Sequence, residues 1–165
     1  MTNVRGGFDY DSFYSGEGRL QIVDALGNVI SDIPLSDILS GLKPTRDSLT
    51  KEIDAQSISP SDKSEFTVSN TDGYSAIMVY VRATYNASAT AGVRVRWLYS
   101  PNGSDYDSEE DAEAQSQYYD LSFAAGETRQ ATVLIPIFAP YIKVQVVNLD
   151  SSYSVEVTAW KLLLR

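Results

Sequence analysis

Residues 74–105 read YSAIMVYVRATYNASATAGVRVRWLYSPNGSD, and the fold class turns on them. Ile77, Val79, Val81 and Ala83 share one parity, while Met78, Tyr80, Arg82 and Thr84 share the other. Further on, Val93, Val95, Trp97 and Tyr99 alternate with Arg94, Arg96 and Leu98. Alternation with a period of two puts one apolar face on each segment, as in a half-buried β-strand. Small residues at 86–92 separate the two strands, and Pro101-Asn102-Gly103 supplies a turn after the second.

The same punctuation continues outward. Strands are expected over Leu49–Ile58, Glu65–Ser69, about 75–85, about 92–99, Gln117–Phe123, Arg129–Phe138, Tyr141–Leu149 and Ser154–Leu164. Turn residues such as Ser59-Pro60-Ser61-Asp62, Thr71-Asp72-Gly73, Ala125-Gly126-Glu127 and Asp150-Ser151-Ser152 divide them. No helical period interrupts the series. About eight short strands at this spacing predict an all-β antiparallel sandwich, with a jelly roll as the leading topology.

Residues 1–48 read differently. Arg19–Asp24 and Asn28–Ile33 flank Ala25-Leu26-Gly27 as a short hairpin. Leu35, Ile38, Leu39 and Leu42 then fall on one face of a short helix, with Ser36 as N-cap and Lys43-Pro44 as its stop. Ahead of the hairpin, Phe8, Tyr10, Phe13 and Tyr14 lie among glycines, as in an extended arm whose aromatics anchor on a neighbour. A hairpin and a short helix bury little by themselves. The chain therefore divides into an attachment or oligomer-contact region at 1–48 and a sandwich at 49–165.

Composition narrows the function classes. The chain has 165 residues, 43% of them hydrophobic and 21% charged, enough for one real core. Its net charge of −9 argues against phosphate-backbone recognition and against an anionic membrane surface, so neither nucleic acid nor membrane is an expected partner. Without histidine or cysteine the chain has no imidazole base, no thiolate and no disulfide. No basic segment followed by an apolar one opens the chain, so synthesis in the cytoplasm and work in an aqueous setting are expected. Nothing singles out a pair of carboxylates across a cleft, and the chain reads as a non-enzyme.

Two charged features remain. Arg82, Arg94 and Arg96 share the outward parity of the two central strands. Paired as a hairpin, those strands would gather three guanidiniums into a face for an acidic or sulfated sugar, or for an acidic neighbour; placed in opposite sheets, they would split it. Residues 105–113 hold six acids and no base. Asp105, Asp107, Glu109 and Asp111 carry enough oxygens to suggest calcium, although the glycine and the terminal glutamate of an EF-type loop are missing. The plainer reading is a solvated acidic loop that meets the arginines, and no cofactor is expected otherwise. Tyr106, in this loop, and Trp160, on the outward parity of the last strand, are further candidates for contact with a sugar or a partner.

The segment VRVRWLYSPNGSDYD (93–107), with APYIKVQVVNLDSSYSVEVTAWKL (139–162) after it, resembles small β-sandwich structural proteins of tailed bacteriophages. It also resembles galactose-binding-like, discoidin-type domains. The first resemblance implies a virion component, such as a capsid decoration, spike or tail-associated subunit. Such a protein is made in the host cytoplasm and acts through sister subunits and other virion proteins as a homo-oligomer. The second implies a carbohydrate-binding module for adhesion, with a glycan as partner. The hairpin and short helix lie outside the discoidin-type pattern.

Overall fold

All eight strands expected after residue 48 form, and they stack as two four-stranded antiparallel sheets. The computed structural model describes residues 19–23, 29–34, 47–69 and 71–165. The chain separates into two compact units, Met1–Pro44 and Thr45–Arg165. In the first, strands β1 (Arg19–Val23) and β2 (Val29–Pro34) pair antiparallel, with Arg19 opposite Pro34 and an irregularity at Ile22/Val23. The aromatic arm (Phe8, Tyr10, Phe13, Tyr14) and the expected helix (Leu35, Ile38, Leu39, Leu42) lie outside the described residues.

The second unit contains β3 (Thr50–Ile58), β4 (Lys63–Val68), β5 (Ala76–Tyr85), β6 (Val93–Ser100), β7 (Tyr118–Asp120), β8 (Thr128–Pro136), β9 (Tyr141–Asn148) and β10 (Val155–Leu164). One sheet runs β3-β10-β5-β8 and the other β4-β9-β6-β7. Counted from β3, the first strand pairs with the eighth, the second with the seventh, and the fourth with the fifth. That nesting is a jelly roll. It places β5 and β6 in opposite sheets, because burying both apolar faces requires them to look at each other across the core. Ile77, Val79, Val81 and Ala83 of β5 face Val93 and Val95 of β6, and all six are fully buried. Ile135, Ile142, Val144, Val146 and Val157 complete the centre.

Two features depart from the alternation. Ile53 and Ile58 are both buried although they stand five positions apart in β3. The pairing with β10 shifts register between Val157 and Ala159, and Ala55, with φ of 45°, is the extra residue. Such a bulge reverses the parity of the residues beyond it and twists an edge strand away from further pairing. The second departure corrects the expectation of a helix-free sandwich. Within the acidic stretch, Glu109–Ala114 forms a short helix, α1. Ser108 caps it by accepting from Asp111 N at 3.0 Å, and the acids Glu109, Glu110 and Asp111 occupy its first turn, where the backbone dipole favours them. The strand expected over Gln117–Phe123 correspondingly shrinks to Tyr118–Asp120.

One end of the sandwich is pinned by two buried polar side chains. Asn148 Nδ2 donates to the carbonyls of Ile58, Ser59 and Tyr153. Asp150 accepts from the amides of Thr90, Ala91, Ser152 and Tyr153. Those backbone donors, led by Thr90, hold its carboxyl well below the usual carboxylate range. Among the described residues no helix is long and apolar enough to cross a membrane.

Candidate functional site

The alternation of β6 points Val93, Val95, Trp97 and Tyr99 toward the core, yet only the two valines are fully buried. The reason is the length of β7. It pairs only with Arg94–Arg96, so from Trp97 onward β6 has no neighbouring strand on that side, and the segment 107–117 bonds its backbone instead. On the facing sheet, β8 ends at Pro136. Between them lies a cleft of about 510 Å³. Trp97, Tyr99, Pro136 and Phe138 supply its apolar walls, and Asp107, Gln115, Ser116 and Gln117 its polar side.

Each wall is fixed by short-range bonds. Tyr99 Oη donates to the Pro136 carbonyl at 2.7 Å, which ties the two sheets across the cleft. Burial pushes this phenol up to about 12, so it stays a neutral donor. Asp107 and Tyr99 exchange two bonds: Tyr99 N donates to Asp107 Oδ2 at 3.2 Å, and Asp107 N donates to Tyr99 O at 3.0 Å. Trp97 N donates to Gln117 O at 3.1 Å. Gln117 Nε2 donates to Gln115 Oε1 at 3.1 Å, while Gln117 Oε1 is buried with no partner among the described residues. Phe138 is 80% exposed and rests against Tyr99, with ring centroids 5.8 Å apart. The cleft thus offers aromatic faces beside fixed hydrogen-bonding groups, the combination that suits a ligand with one apolar face and polar edges.

Helix α1 holds the polar side in place, and the arginines expected to form a binding face are what hold the helix. Arg96 is buried on the outer face of its sheet. Its guanidinium bonds Gln145 Oε1 at 2.9 Å, Glu113 Oε1 at 2.8 Å and Glu109 Oε2 at 2.5 Å. Arg94 grips Asp120 through two bonds of 2.7 and 2.9 Å, meets Glu113 at 3.1 Å and stacks on Tyr118. Lys63 also pairs with Glu109. Ala112 packs fully buried beneath this layer. The acidic segment and the arginines therefore meet within one subunit.

The rest of the expected face is divided. Arg82 lies on β5 in the other sheet, in register with Thr158 and Gln130. Trp160 lies on that same outer face, half-buried, with its ring 5.3 Å from Tyr80 and under Lys51 Nζ at 5.9 Å. Tyr106 stays with the arginine-bearing sheet, its ring covered by Lys143 Nζ at 4.4 Å. Nor do the four acids considered for calcium converge. Asp105 accepts from Asn102, Asp107 from Tyr99, Asp111 from Ser108, and Glu109 pairs with Arg96 and Lys63. Among the described residues no group of three or more acids is arranged to hold a metal ion.

Trp97, Tyr99, Phe138, Gln115 and Gln117 line this cleft and are not among the candidates read from the sequence, where Trp97 counts as core. Tyr99 shares its parity with the core valines, and nothing in the letters marks where β7 stops. Pro136 is the one available signal, since it ends a strand beside an aromatic-rich stretch.

No family model and no curated protein matches the chain. Among solved structures it is similar to the CBM36-1 domain of a multidomain xylanase from the hindgut metagenome of Trinervitermes trinervoides, at 9% identity and a TM-score of 0.43, covering 72% of this chain and 96% of that one. It is also similar to dimeric latent PorU from Porphyromonas gingivalis, at 11% identity and a TM-score of 0.44, covering 92% of this chain and 14% of the other.

Proposed function

We propose that the sandwich is a carbohydrate-binding module and that the cleft between β6 and the end of β8 is its ligand site, acting by binding without a catalytic step. One observation carries this reading: Trp97, Tyr99 and Phe138 present aromatic surface beside Asp107, Gln115 and Gln117 in a cleft that is open to solvent. A pyranose has a face of weakly positive C–H groups that stacks on the negative face of an aromatic ring, and hydroxyls at its edge that seek fixed partners. The lining of the cleft supplies both kinds of surface. Phe138 is the wall best suited to a test, because its exposure makes it dispensable for the fold. Calorimetric titration of the protein with neutral oligosaccharides is expected to give saturable binding that Phe138→Ala weakens at least fivefold with an unchanged melting temperature. Binding that ignores the substitution would reject the cleft.

A second reading keeps the sandwich as the projecting head of a virion subunit. It is favoured by the division of the chain into two compact units, the first containing a hairpin of its own. The two readings are compatible, since a particle-borne head can hold sugar. Native mass in solution tests the second: a trimer or larger ring supports it, and a monomer at every concentration rejects it.

A further inference from the structure

The charges around the cleft bear on which saccharide it would accept. This step rests on the carbohydrate-binding reading and goes beyond it to the class of ligand. Among the described residues, the only ionised side chain lining the cleft is Asp107. Tyr99 N occupies its Oδ2, and no protein donor reaches its Oδ1 among the hydrogen bonds of the described residues. Gln117 is nine-tenths buried in the same wall, and its Oε1 also lacks a donor there. A buried carbonyl without a partner costs stability, so it is expected to receive a donor from the occupant, directly or through a water. Both free positions are acceptors, and both call for hydroxyl donors.

The cations that would be needed for an acidic sugar are committed elsewhere. Arg94 and Arg96 are saturated by Asp120, Glu113, Glu109 and Gln145 on the outer face of the sheet, while Lys63 and Lys143 are held by Glu109 and by Glu65 and Tyr106. The segment that forms the polar wall also carries Asp105, Glu110 and Asp111, none of which has a basic partner among the described residues. A ligand carboxylate or sulfate would enter a field of its own sign.

We propose that the cleft takes uncharged, hydroxyl-donating saccharides and rejects uronate- and sulfate-bearing ones, with Asp107 as the residue that sets this choice. A ligand carboxylate about 5 Å from Asp107 in a half-wet cleft meets a repulsion equivalent to about a tenfold loss of affinity. The test is calorimetric titration of the full chain with size-matched neutral gluco-, galacto-, manno- and xylo-oligosaccharides, oligogalacturonate and a sulfated galactan oligomer. It is then repeated with Asp107→Asn, which keeps an acceptor for Tyr99 N and removes the charge. The expected result is binding of a neutral member at least tenfold tighter than any acidic one. Asp107→Asn is expected to narrow that ratio at least threefold at an unchanged melting temperature, and high salt to narrow it in the wild type. Acidic ligands binding as well as neutral ones would overturn the inference and leave the carbohydrate reading standing. A ratio that Asp107→Asn does not move would overturn the role of Asp107. Binding to no member of the panel would overturn the carbohydrate reading and this inference with it.

Discussion

Replacing Arg96 by Met should loosen the polar wall of the cleft without opening the sandwich core. Methionine keeps most of the apolar stem that lies on the sheet and removes the guanidinium. Three interactions go with it. The bond to Gln145 Oε1 is fully buried, and leaving that oxygen unpaired costs about 1–2 kcal/mol. The ion pairs to Glu109 and Glu113 involve carboxylates that are 39% and 41% exposed, so water screens them. Each is therefore worth about 0.5 kcal/mol, in the range of surface pairs and not of buried ones. The sum is about 2–3 kcal/mol, which for a domain of this size lowers the melting temperature by roughly 10 °C. Because two of the three lost bonds anchor α1, amide exchange should accelerate most across residues 109–117 and stay slow in β5. Saccharide affinity should fall too, since Gln115 and Gln117 come directly after that helix. A melting temperature within about 2 °C of wild type, or faster exchange spread evenly over both sheets, would refute the clamp.

The same contacts set three further outcomes. Glu109, held low by the Lys63 hydrogen bond and the Arg96 charge, and Asp150, held low by the amides of Thr90 and its neighbours, have folded values below their ordinary ones of 4.5 and 3.8. Their stabilisation is therefore complete above those ordinary values and lost as pH falls through the lower folded ones. Thermal melts from pH 7 to pH 2 should show a loss that sets in below about pH 4.5 and becomes shallower in Glu109→Gln and in Asp150→Asn. Asp150→Asn should also lower the melting temperature at pH 7, because an amide nitrogen cannot accept from the loop amides. In urea melts, Ile142→Ala should destabilise by about 3 kcal/mol, as Ile142 is fully buried, whereas Leu134→Ala, at 62% exposure, should stay within about 0.5 kcal/mol.

Wherever one face of a strand is buried, the letters carry the fold. β5 and β9 could be read to within a residue or two because Ile77, Val79 and Val81, and Ile142, Val144 and Val146, each alternate without interruption. β3 read loosely for a definite reason: the bulge at Ala55 shifts Ile53 and Ile58 out of a common parity. The acidic stretch misled because six acids suggest a loop, while the capping of Ser108 and the two arginines beneath allow a helix. The cleft was the least legible part. It depends on where β7 ends and on which sheet edge that end exposes, and both are properties of pairing that leave no mark on the sequence of β6. Arg94 and Arg96 were visible as a pair with a purpose; that the purpose lies inward became clear only once Glu109, Glu113 and Asp120 were placed opposite them.

The central claim is that a sugar binds at Trp97 and not elsewhere. The chain has two tryptophans, one in the cleft and one on the opposite outer face, so their indole N–H signals in a proton–nitrogen spectrum report on two separate surfaces. On titration with the tightest neutral oligosaccharide, the Trp97 signal and the side-chain amides of Gln115 and Gln117 should move saturably while Trp160 stays fixed. Movement of Trp160 with Trp97 unchanged would contradict the account.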